Sequence, residues 1–364
     1  MFDATWQISS SLRPWYGICE ADHIYVAGRW YIHGSTSGWT LWSIKKLNKA
    51  SGIEIWSIEE GTEGKWSEYA TGICTDGSYI YVVGIDVDSG WRIEKRNLAD
   101  GSLVWRKNDS TPPYDSFVAI TVDDDSVYVC GNKAAKLNIM KKNKTDGETD
   151  WRIIESGEND AHALSICLHE DDLLICGHSY PNLWRSERRS KSDGARIWMK
   201  ESNSSPYGYN FAYALTADSE NVYISGADEQ TGTTPWGLES RVLSDGDLNY
   251  YEMDDPTGQS DVAYTNNIFD SNHLIVGGFI GGSNPKWRIT KNLKSDGSVV
   301  FEKLLFDAEI LNGSCRSIKK SGNSIYAAGD WGYYNYDLST GIVMKLDAGI
   351  ASATKYPMPC FKRS

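Results

Sequence analysis

The 364-residue sequence lacks several features that would place it in a common functional class. No apolar run approaches the roughly 18 residues of a membrane-spanning helix, and the N-terminal residues lack the basic and apolar segments of a signal peptide. Positively charged residues are also fewer than negatively charged ones: the chain has 36 Lys and Arg and 49 Asp and Glu, which gives a net charge of −13. A field of that sign repels phosphates and anionic lipids, so we expect neither nucleic acid nor a membrane as a partner.

Cysteine and histidine are scarce, with seven and six copies. Scattered cysteines in odd number fit no small disulfide framework, and free thiols favour a reducing compartment such as the cytoplasm. Four metal-ligating side chains cluster at Cys167, His169, Cys176 and His178. The rise along two strands spreads the two histidines about 20 Å apart, far beyond the reach of one ion with ligands at about 2.0–2.3 Å. We therefore expect no metal and interpret Cys176 as a buried structural thiol.

One strand-like signature recurs seven times along the chain. It consists of an apolar residue, usually Tyr, two apolar or small residues and Gly, and its clearest copy is IYVVG ending at Gly84. Self-similarity at a fixed period of this size is typical of repeat proteins. The seven glycines, spaced 46 to 56 residues apart, are Gly28, Gly84, Gly131, Gly177, Gly226, Gly277 and Gly329.

A second signature follows each of the first six copies. It reads Trp-x-x-x-Lys, then six residues to a Gly and four more to an aromatic, as in Trp91, Lys95, Gly101 and Trp105. A ligand site seldom needs five equivalent tryptophans, so we interpret the Trp positions as packing between repeats and the lysines as extending along the sheet surface. The other copies begin at Trp42, Leu137, Trp184, Trp236 and Trp287.

Each repeat divides into four short strands, A to D, with the Tyr run as strand B and the Trp-x-x-x-Lys run as strand C. An Asp-Gly or Ser-Gly hairpin joins C to D. Four antiparallel strands at this period form one propeller blade, so the sequence predicts an all-β, seven-bladed β-propeller over residues 1–347 and a C-terminal strand or tail over 348–364. Residues 2–7 align with strand D and are predicted to complete blade seven, which hides the edges of the ring. The alternative is that Ile350 to Tyr356 form that strand.

The blade pattern, with its Tyr-containing strand, Trp-x-Ile-x-Lys run and Gly-x-x-x-Trp turn, resembles the SBBP-type bacterial β-propeller repeat. It is also similar to the tryptophan-docking repeat of pyrroloquinoline-quinone (PQQ) enzymes and of the related outer-membrane assembly propeller. The resemblance covers residues 2–347 and implies architecture rather than activity. The PQQ enzymes have eight blades, Thr where this chain has Asp100 or Asp146, and in several cases an adjacent cysteine pair that this sequence lacks. No cofactor-ligand residue can be matched, so we expect no cofactor.

Function is expected on one face of the ring. With strand A innermost, the B–C and D–A connections emerge together, and they are longer and more varied than the Asp/Gly turns opposite. Aromatic faces and carboxylates at such a mouth suit a glycan or a protein segment. The candidate ligand-binding residues are Trp30, Tyr31, Trp66, Asp86, Asp88, Tyr114, Tyr180, Tyr207, Tyr209, Trp331, Tyr333 and Tyr334.

The regular repeat and the lack of any catalytic motif favour a non-catalytic binding or interaction propeller. One alternative is a carbohydrate-active hydrolase or lyase that uses acidic loop residues such as Glu60, Glu155, Asp228 and Asp254. A second alternative is a structural component of a surface layer or particle. The sequence identifies no catalytic residue and specifies no oligomeric state.

Overall fold

Seven four-stranded antiparallel sheets make up the described part of the chain, which confirms the predicted seven-bladed β-propeller. The computed structural model describes residues 4–10, 15–32, 39–64, 68–86, 90–109, 118–133, 136–155, 161–202, 208, 210–229, 232–282, 285–305, 312–332 and 340–347. No helix occurs within these ranges. The first strand, β1 (Ala4–Ser10), belongs to the last blade.

The first three blades follow in chain order, each running from strand A to strand D. Blade one holds β2 (Trp15–Glu20), β3 (Ile24–Ile32), β4 (Trp39–Leu47) and β5 (Glu54–Glu60). Blade two holds β6 (Tyr69–Thr75), β7 (Tyr79–Asp86), β8 (Gly90–Asn97) and β9 (Leu103–Asp109). Blade three holds β10 (Val118–Val122), β11 (Ser126–Lys133), β12 (Lys136–Asn143) and β13 (Thr149–Ile154).

The next four blades repeat this order. Blade four holds β14 (Ala161–His169), β15 (Asp172–Ser179), β16 (Leu183–Ser190) and β17 (Arg196–Ser202). Blade five holds β18 (Phe211–Ala217), β19 (Asn221–Ala227), β20 (Trp236–Val242) and β21 (Leu248–Asp254). Blade six holds β22 (Val262–Ile268), β23 (His273–Ile280), β24 (Lys286–Leu293) and β25 (Val299–Leu305). Blade seven holds β26 (Asn312–Ser321), β27 (Ser324–Gly332), β28 (Thr340–Asp347) and β1.

The A strands lie nearest the axis of the ring. Each one contacts the A strand of the next blade, and β26 of blade seven contacts β2 of blade one. Because successive strands within a blade are antiparallel, the A–B and C–D turns share one face of the ring, and the B–C and D–A connections share the other. The second face is termed the loop face.

The N-terminal strand closes the ring, as predicted. β1 pairs with β28, with Ile8 opposite Val343, and so takes the outermost place in blade seven. The place beside β28 that the alternative would give to residues 350–356 is thereby filled; residues 348–364 themselves lie outside the description. A buried cluster that includes Ile18 and Val26 of blade one and Tyr326 of blade seven packs across the junction. Closure therefore joins the two ends of the described chain by both pairing and apolar burial.

Tryptophans of strand D dock each of the first four blades onto the next. The indole N–H of Trp198 in blade four donates to the Leu243 carbonyl in the C–D turn of blade five at 2.9 Å. Such a bond satisfies the polar edge of a ring whose apolar body is buried. The same contact, at 3.2 to 3.4 Å, recurs at Trp56, Trp105 and Trp151.

Tryptophans of strand C pack between blades as interpreted from the sequence. In blades four to six the indole N–H also donates to the following blade, as from Trp184 to the Ala227 carbonyl at 2.9 Å and from Trp287 to the Asp330 carbonyl at 2.8 Å. Five equivalent positions are at most 5% exposed, namely Trp42, Trp91, Trp184, Trp236 and Trp287. These side chains are thus part of the inter-blade core.

The C–D turn requires glycine for two reasons, both visible at Gly101. Its φ of +74° lies in the left-handed region, where a Cβ is unfavourable. A Cβ there would also lie 2.5 Å from Cδ1 of Ile58 in the preceding blade. The equivalent residues have φ between +73° and +79°, and they are Gly52, Gly147, Gly194, Gly246 and Gly297.

Buried ion pairs fill part of the space between blades. On β16 of blade four, Glu187 is 1% exposed and accepts hydrogen bonds from Arg185 and Arg189. Glu155 of blade three accepts from the same two arginines and so joins the blades. Buried charges of this kind are tolerated only when each one is paired. The same arrangement in blades one and two consists of Glu60, Arg92, Glu94 and Arg96.

The expectation that strand C lysines extend along the sheet surface is wrong at Lys46 and Lys95. These side chains are 6% and 8% exposed. Their ammonium groups donate to the carbonyls of Leu98 and Lys144 at 2.9 and 3.0 Å. Both carbonyls belong to the next blade and also accept from a strand D indole. The lysines therefore strengthen the same inter-blade contact as the tryptophans, because a charged donor makes the stronger hydrogen bond.

Candidate functional site

The structure describes the side chains of three of the predicted ligand-binding residues. Trp30 and Asp86 are half-buried at the loop-face ends of β3 and β7, and Tyr180 is 63% exposed directly after β15. They belong to blades one, two and four and mark three separate points on the rim of the loop face. Tyr31 and Trp331 lie in β3 and β27, but their side chains are outside the description. The other predicted positions lie outside the described residues, namely Trp66, Asp88, Tyr114, Tyr207, Tyr209, Tyr333 and Tyr334.

Four of the acidic loop residues that a hydrolase could use contact other residues of the fold. Glu60 pairs with three arginines; burial alone would raise its pKa, but those arginines lower it to about 2. Glu155 has a lowered pKa for the same reasons, and Asp254 pairs with Arg288. Asp228 is 1% exposed and accepts from the Tyr251 hydroxyl. Burial raises the pKa of Asp228, as a general acid needs, but the same burial denies it access to substrate.

An aromatic belt that the sequence did not reveal lies where A strands begin and B strands end, around the channel mouth on the loop face. His162 and His178 sit opposite each other in blade four, with ring centres 4.5 Å apart. His178 contacts Phe211 of blade five edge-on at 4.3 Å, and further ring contacts at 4.9 to 5.9 Å extend the belt to blade six. Such offset and edge-on contacts are favourable geometries for aromatic pairs. The belt consists of His162, His178, Phe211, Tyr213, Tyr264 and Phe279.

A second aromatic cluster faces the belt from blades one and two. The rings of Tyr16 and Tyr69 are 6.2 Å apart. The Arg29 guanidinium lies 5.7 and 5.9 Å from their centres, within the range of a cation–π contact. Aromatic side chains from five of the seven blades therefore surround the channel mouth.

β-Bulges place several of these side chains. In six A strands the pairing with strand B skips one residue, which leaves that residue unpaired and bends the strand. In each of these strands the residue just before the bulge pairs with a strand B glycine, and that glycine lies 12 to 14 positions after the bulge residue. That spacing is the signal from which they could have been found. The bulge residues are Tyr16, Thr71, Leu164, Tyr213, Tyr264 and Arg316.

Arg316, the bulge residue of blade seven, is the cation among these six. Its guanidinium carbon lies 4.1 Å from the centre of the Tyr264 ring. Its Nε is 3.5 Å from a carboxylate oxygen of Asp330, at the outer limit for a hydrogen bond. The side chain is 28% exposed. The cation is thus held by an aromatic face and one long contact at the channel mouth.

A further cation, Lys319, lies three positions after the bulge residue of blade seven. Lys319 of blade seven interacts electrostatically with the thiols of Cys19, Cys74 and Cys167, which belong to blades one, two and four. Burial raises the pKa of Cys19 and Cys167 to about 12, and the ammonium of Lys319 opposes that rise. An amine that interacts with residues of three other blades lies near the axis of the ring. The channel therefore carries a second cation below Arg316.

Burial also controls the ionisation of the belt. The pKa of His178 falls to about 3, because burial disfavours the imidazolium and the neighbouring His162 adds to the effect. The Nδ1 atom of His178 is buried and has no hydrogen-bond partner among the described residues. His178 is therefore a neutral ring at physiological pH and packs as an aromatic.

The predicted cysteine and histidine cluster separates as expected. The pairing of His169 with Asp172 places that histidine at the A–B turn, whereas His178 lies at the loop-face end of the same sheet. Cys176 is 1% exposed, and its thiol donates to the Ala212 carbonyl at 3.4 Å, which confirms a buried structural role. Within the described ranges, no three His, Cys, Asp or Glu side chains converge as metal ligands. The same ranges contain no helix long and apolar enough to cross a bilayer.

Solved structures similar to this chain show how widely its fold is used. The quinohemoprotein alcohol dehydrogenase of Comamonas testosteroni matches with a TM-score of 0.56 and 11% identity, over 98% of this chain and 78% of that one. Semaphorin 2a of Drosophila matches with a TM-score of 0.60 and 11% identity, over 95% and 75%. Sqt1 of Chaetomium thermophilum matches with a TM-score of 0.54 and 10% identity, over 96% and 99%. At these identities the likeness shows the fold alone and transfers no quinone or haem chemistry.

Sequence comparison defines the family. A search of curated proteins finds no significant match. The family model described as outer membrane protein assembly factor BamB, a PQQ-like repeat family, matches residues 42–275, which is well over half of the chain. This match confirms the resemblance to PQQ-like propellers drawn from the Trp, Lys and Gly positions. The chain therefore belongs to the PQQ-like propeller family described as outer membrane protein assembly factor BamB.

Proposed function

We propose that this protein is a non-catalytic interaction propeller that binds a polypeptide segment at the channel mouth on its loop face. The aromatic belt is the observation that carries the proposal. Tyrosine, other aromatics and arginine supply most of the binding energy at protein interfaces, since they combine a large apolar body with a polar edge. Membership of a family described as an assembly factor also favours contact with other polypeptides.

The fold supports a rigid receptor of this kind. The belt is built on strand ends and bulges that inter-blade pairing holds in place, rather than on long loops. A preorganised aromatic surface loses little conformational entropy when a segment binds. In the proposal, Trp30, Asp86 and Tyr180 form outer contacts on the rim for the parts of the segment that leave the channel mouth.

The hydrolase alternative gains no support from the acidic residues, because Glu60, Glu155 and Asp254 are paired with arginines. A glycan remains the other ligand that aromatic faces accept through stacking. The experiment that tests the proposal must therefore distinguish a peptide from a sugar.

A display library of random linear peptides, panned on the purified chain, provides that test. We expect enrichment on the wild type and its loss on the double variant Tyr213→Ala/Tyr264→Ala. The matched control is Phe269→Ala, which removes a half-buried aromatic at the opposite end of β22, where Lys291 stacks on it at 4.4 Å. Circular dichroism checks that all variants keep the sheet structure.

Enrichment that the control retains and the double variant loses supports the proposal. No enrichment on the wild type, together with a positive response on a glycan array, would replace it with a lectin function. Release of reducing sugar from a polysaccharide by the wild type would replace it with a hydrolase.

A further inference from the structure

We infer that the channel mouth recognises a carboxylate of the bound segment, and that Arg316 is the residue that binds it. This inference rests on the proposed function and specifies the chemistry of the segment. It is carried by two observations: the incomplete pairing of Arg316 and the charge of the residues that face the axis.

Arg316 uses only part of its donor capacity. Its single hydrogen bond within the described residues is the 3.5 Å contact from Nε to Asp330. Its two terminal nitrogens donate to no described residue, and neither is among the fully buried polar atoms. A guanidinium in this state presents a planar pair of donors, which is the geometry that a carboxylate accepts in two parallel bonds.

The arginines between the blades show what a satisfied guanidinium looks like in this protein. Arg185 donates from Nε to Glu187 and from Nη2 to Glu155. Arg96 donates from Nε to Glu94 and from Nη2 to Glu60. In each case two carboxylates accept from one guanidinium. Arg316 has one distant carboxylate, and the position of a second is open.

The charged residues on the inner strands near the axis, within the described ranges, are opposite in sign to the whole chain. The six bulge residues contribute one cation, Arg316, and no carboxylate. The A strand positions that pair with the second residue of the strand B signature, or with the third in blade six, contribute Lys319, again without a carboxylate. The net charge of the chain is −13, so an anion is repelled by most of the surface and attracted at the axis. These positions, one in each blade, are Cys19, Cys74, Thr121, Cys167, Thr216, Asn267 and Lys319.

The surroundings of Arg316 favour a carboxylate that is attached to an apolar or aromatic chain. Tyr264 covers one face of the guanidinium, and Tyr16 and Tyr213 lie within its electrostatic reach from blades one and five. These rings exclude water from the ion pair and pack against the aliphatic part of a bound side chain. A charge-assisted bond is stronger in such a site than in open water.

Three pools of short synthetic peptides test the inference. All have random flanking positions; the first has a central Glu and blocked ends, the second a central Gln and blocked ends, and the third a central Gln and a free C-terminal carboxylate. Retention by the immobilised protein is measured by mass spectrometry. We expect the wild type to retain the first or third pool about tenfold or more over the second, since one charge-assisted bidentate pair accounts for that ratio. The pool that is retained shows whether the carboxylate comes from a side chain or a chain end.

Variants then assign the preference to one residue. Arg316→Met should bring the ratio close to one, and Arg316→Lys should leave part of it, because an ammonium keeps the charge but not the paired donors. The matched control, Lys136→Met, removes an exposed cation at the start of β12 and should leave the ratio unchanged. In the wild type the ratio should also fall as NaCl is raised, a measurement that needs no variant.

The outcomes separate the two proposals. Equal retention of all three pools by the wild type overturns the carboxylate inference and leaves peptide binding intact. A preference that persists in Arg316→Met, or that salt does not reduce, overturns the assignment to Arg316. Retention of no pool overturns both.

Discussion

Protonation of the aromatic belt should destabilise the ring well above the pH at which carboxylates titrate. His178 has a folded-state pKa of about 3, against an ordinary value of 6.5, because it is buried against His162 and Phe211. Since the folded-state pKa is the lower one, the unfolded chain takes up the proton first as the pH falls. The stability that depends on neutral His178 is therefore complete above pH 6.5 and is lost progressively towards pH 3.

The expected size of the effect follows from the two pKa values. At pH 5 a histidine in the unfolded chain is almost fully protonated, whereas folded His178 stays neutral. The linkage relation then gives a loss of about 2 kcal/mol in the free energy of unfolding relative to neutral pH. Unfolded carboxylates have pKa values near 4, so they contribute little between pH 7.5 and pH 5.

Chemical denaturation followed by tryptophan fluorescence at pH 7.5 and pH 5 measures this loss. The comparison is with His178→Phe, which keeps an aromatic ring against Phe211 but cannot be protonated. The variant should lose about 2 kcal/mol less than the wild type between the two pH values, since the other titrating groups cancel in the difference. An identical pH dependence in the two proteins would show that His178 is not buried as a neutral ring.

Three further predictions concern the contacts between blades, and chemical denaturation measures all of them. Glu187→Gln should lower the free energy of unfolding by about 3–5 kcal/mol, because two buried arginines lose their shared carboxylate. The control Glu148→Gln, in an exposed pair, should lower it by less than about 1 kcal/mol, and similar losses in the two variants would refute the buried-pair argument. Gly101→Ala should lower the free energy of unfolding clearly more than Gly77→Ala. Both glycines have positive φ, but only Gly101 has neighbours within 4 Å of the added Cβ, so equal losses would refute the close approach. Trp198→Phe should cost about 1–2 kcal/mol through the lost indole hydrogen bond, and an unchanged stability would show that the docking bond contributes nothing.

The architecture could be predicted because its physical requirements repeat in each blade. Gly101 and its equivalents need a left-handed φ and room for the preceding blade, and Trp105 and its equivalents need a carbonyl in the following one. A requirement that recurs in every blade leaves a periodic mark in the sequence. The strand C lysines were misassigned because their partner carbonyls belong to another blade, and a repeat pattern shows what recurs but not which polar groups meet.

The candidate site was harder to predict because it is not periodic. The sequence pattern favours loop residues such as Tyr180 as ligand contacts, whereas the residues of the aromatic belt lie at the ends of strands. Phe211 and Tyr264 belong to different blades and come together only after the ring closes. The bulge at Tyr264 adds one unpaired residue to strand A. Strand A has no residue motif of its own, so the spacing to the strand B glycine is the signal that the sequence offers for the bulge. The sequence does predict which face of the ring carries the site, because that face follows from the order of the strands alone.

The contrast between repeated and varied positions has a physical basis in a closed ring. A residue such as Trp287 faces a neighbouring blade, and the same interface must form around the whole ring, so its type recurs. A residue near the axis is not constrained by packing against the next blade. The residue at the bulge position therefore differs between blades, as Tyr16, Leu164, Tyr264 and Arg316 show. Packing therefore does not account for a cation at one of these positions and aromatics at others. Departure from the repeat at the axis is thus a better guide to ligand chemistry in this fold than the repeat itself, and it points to the ring of side chains around Arg316.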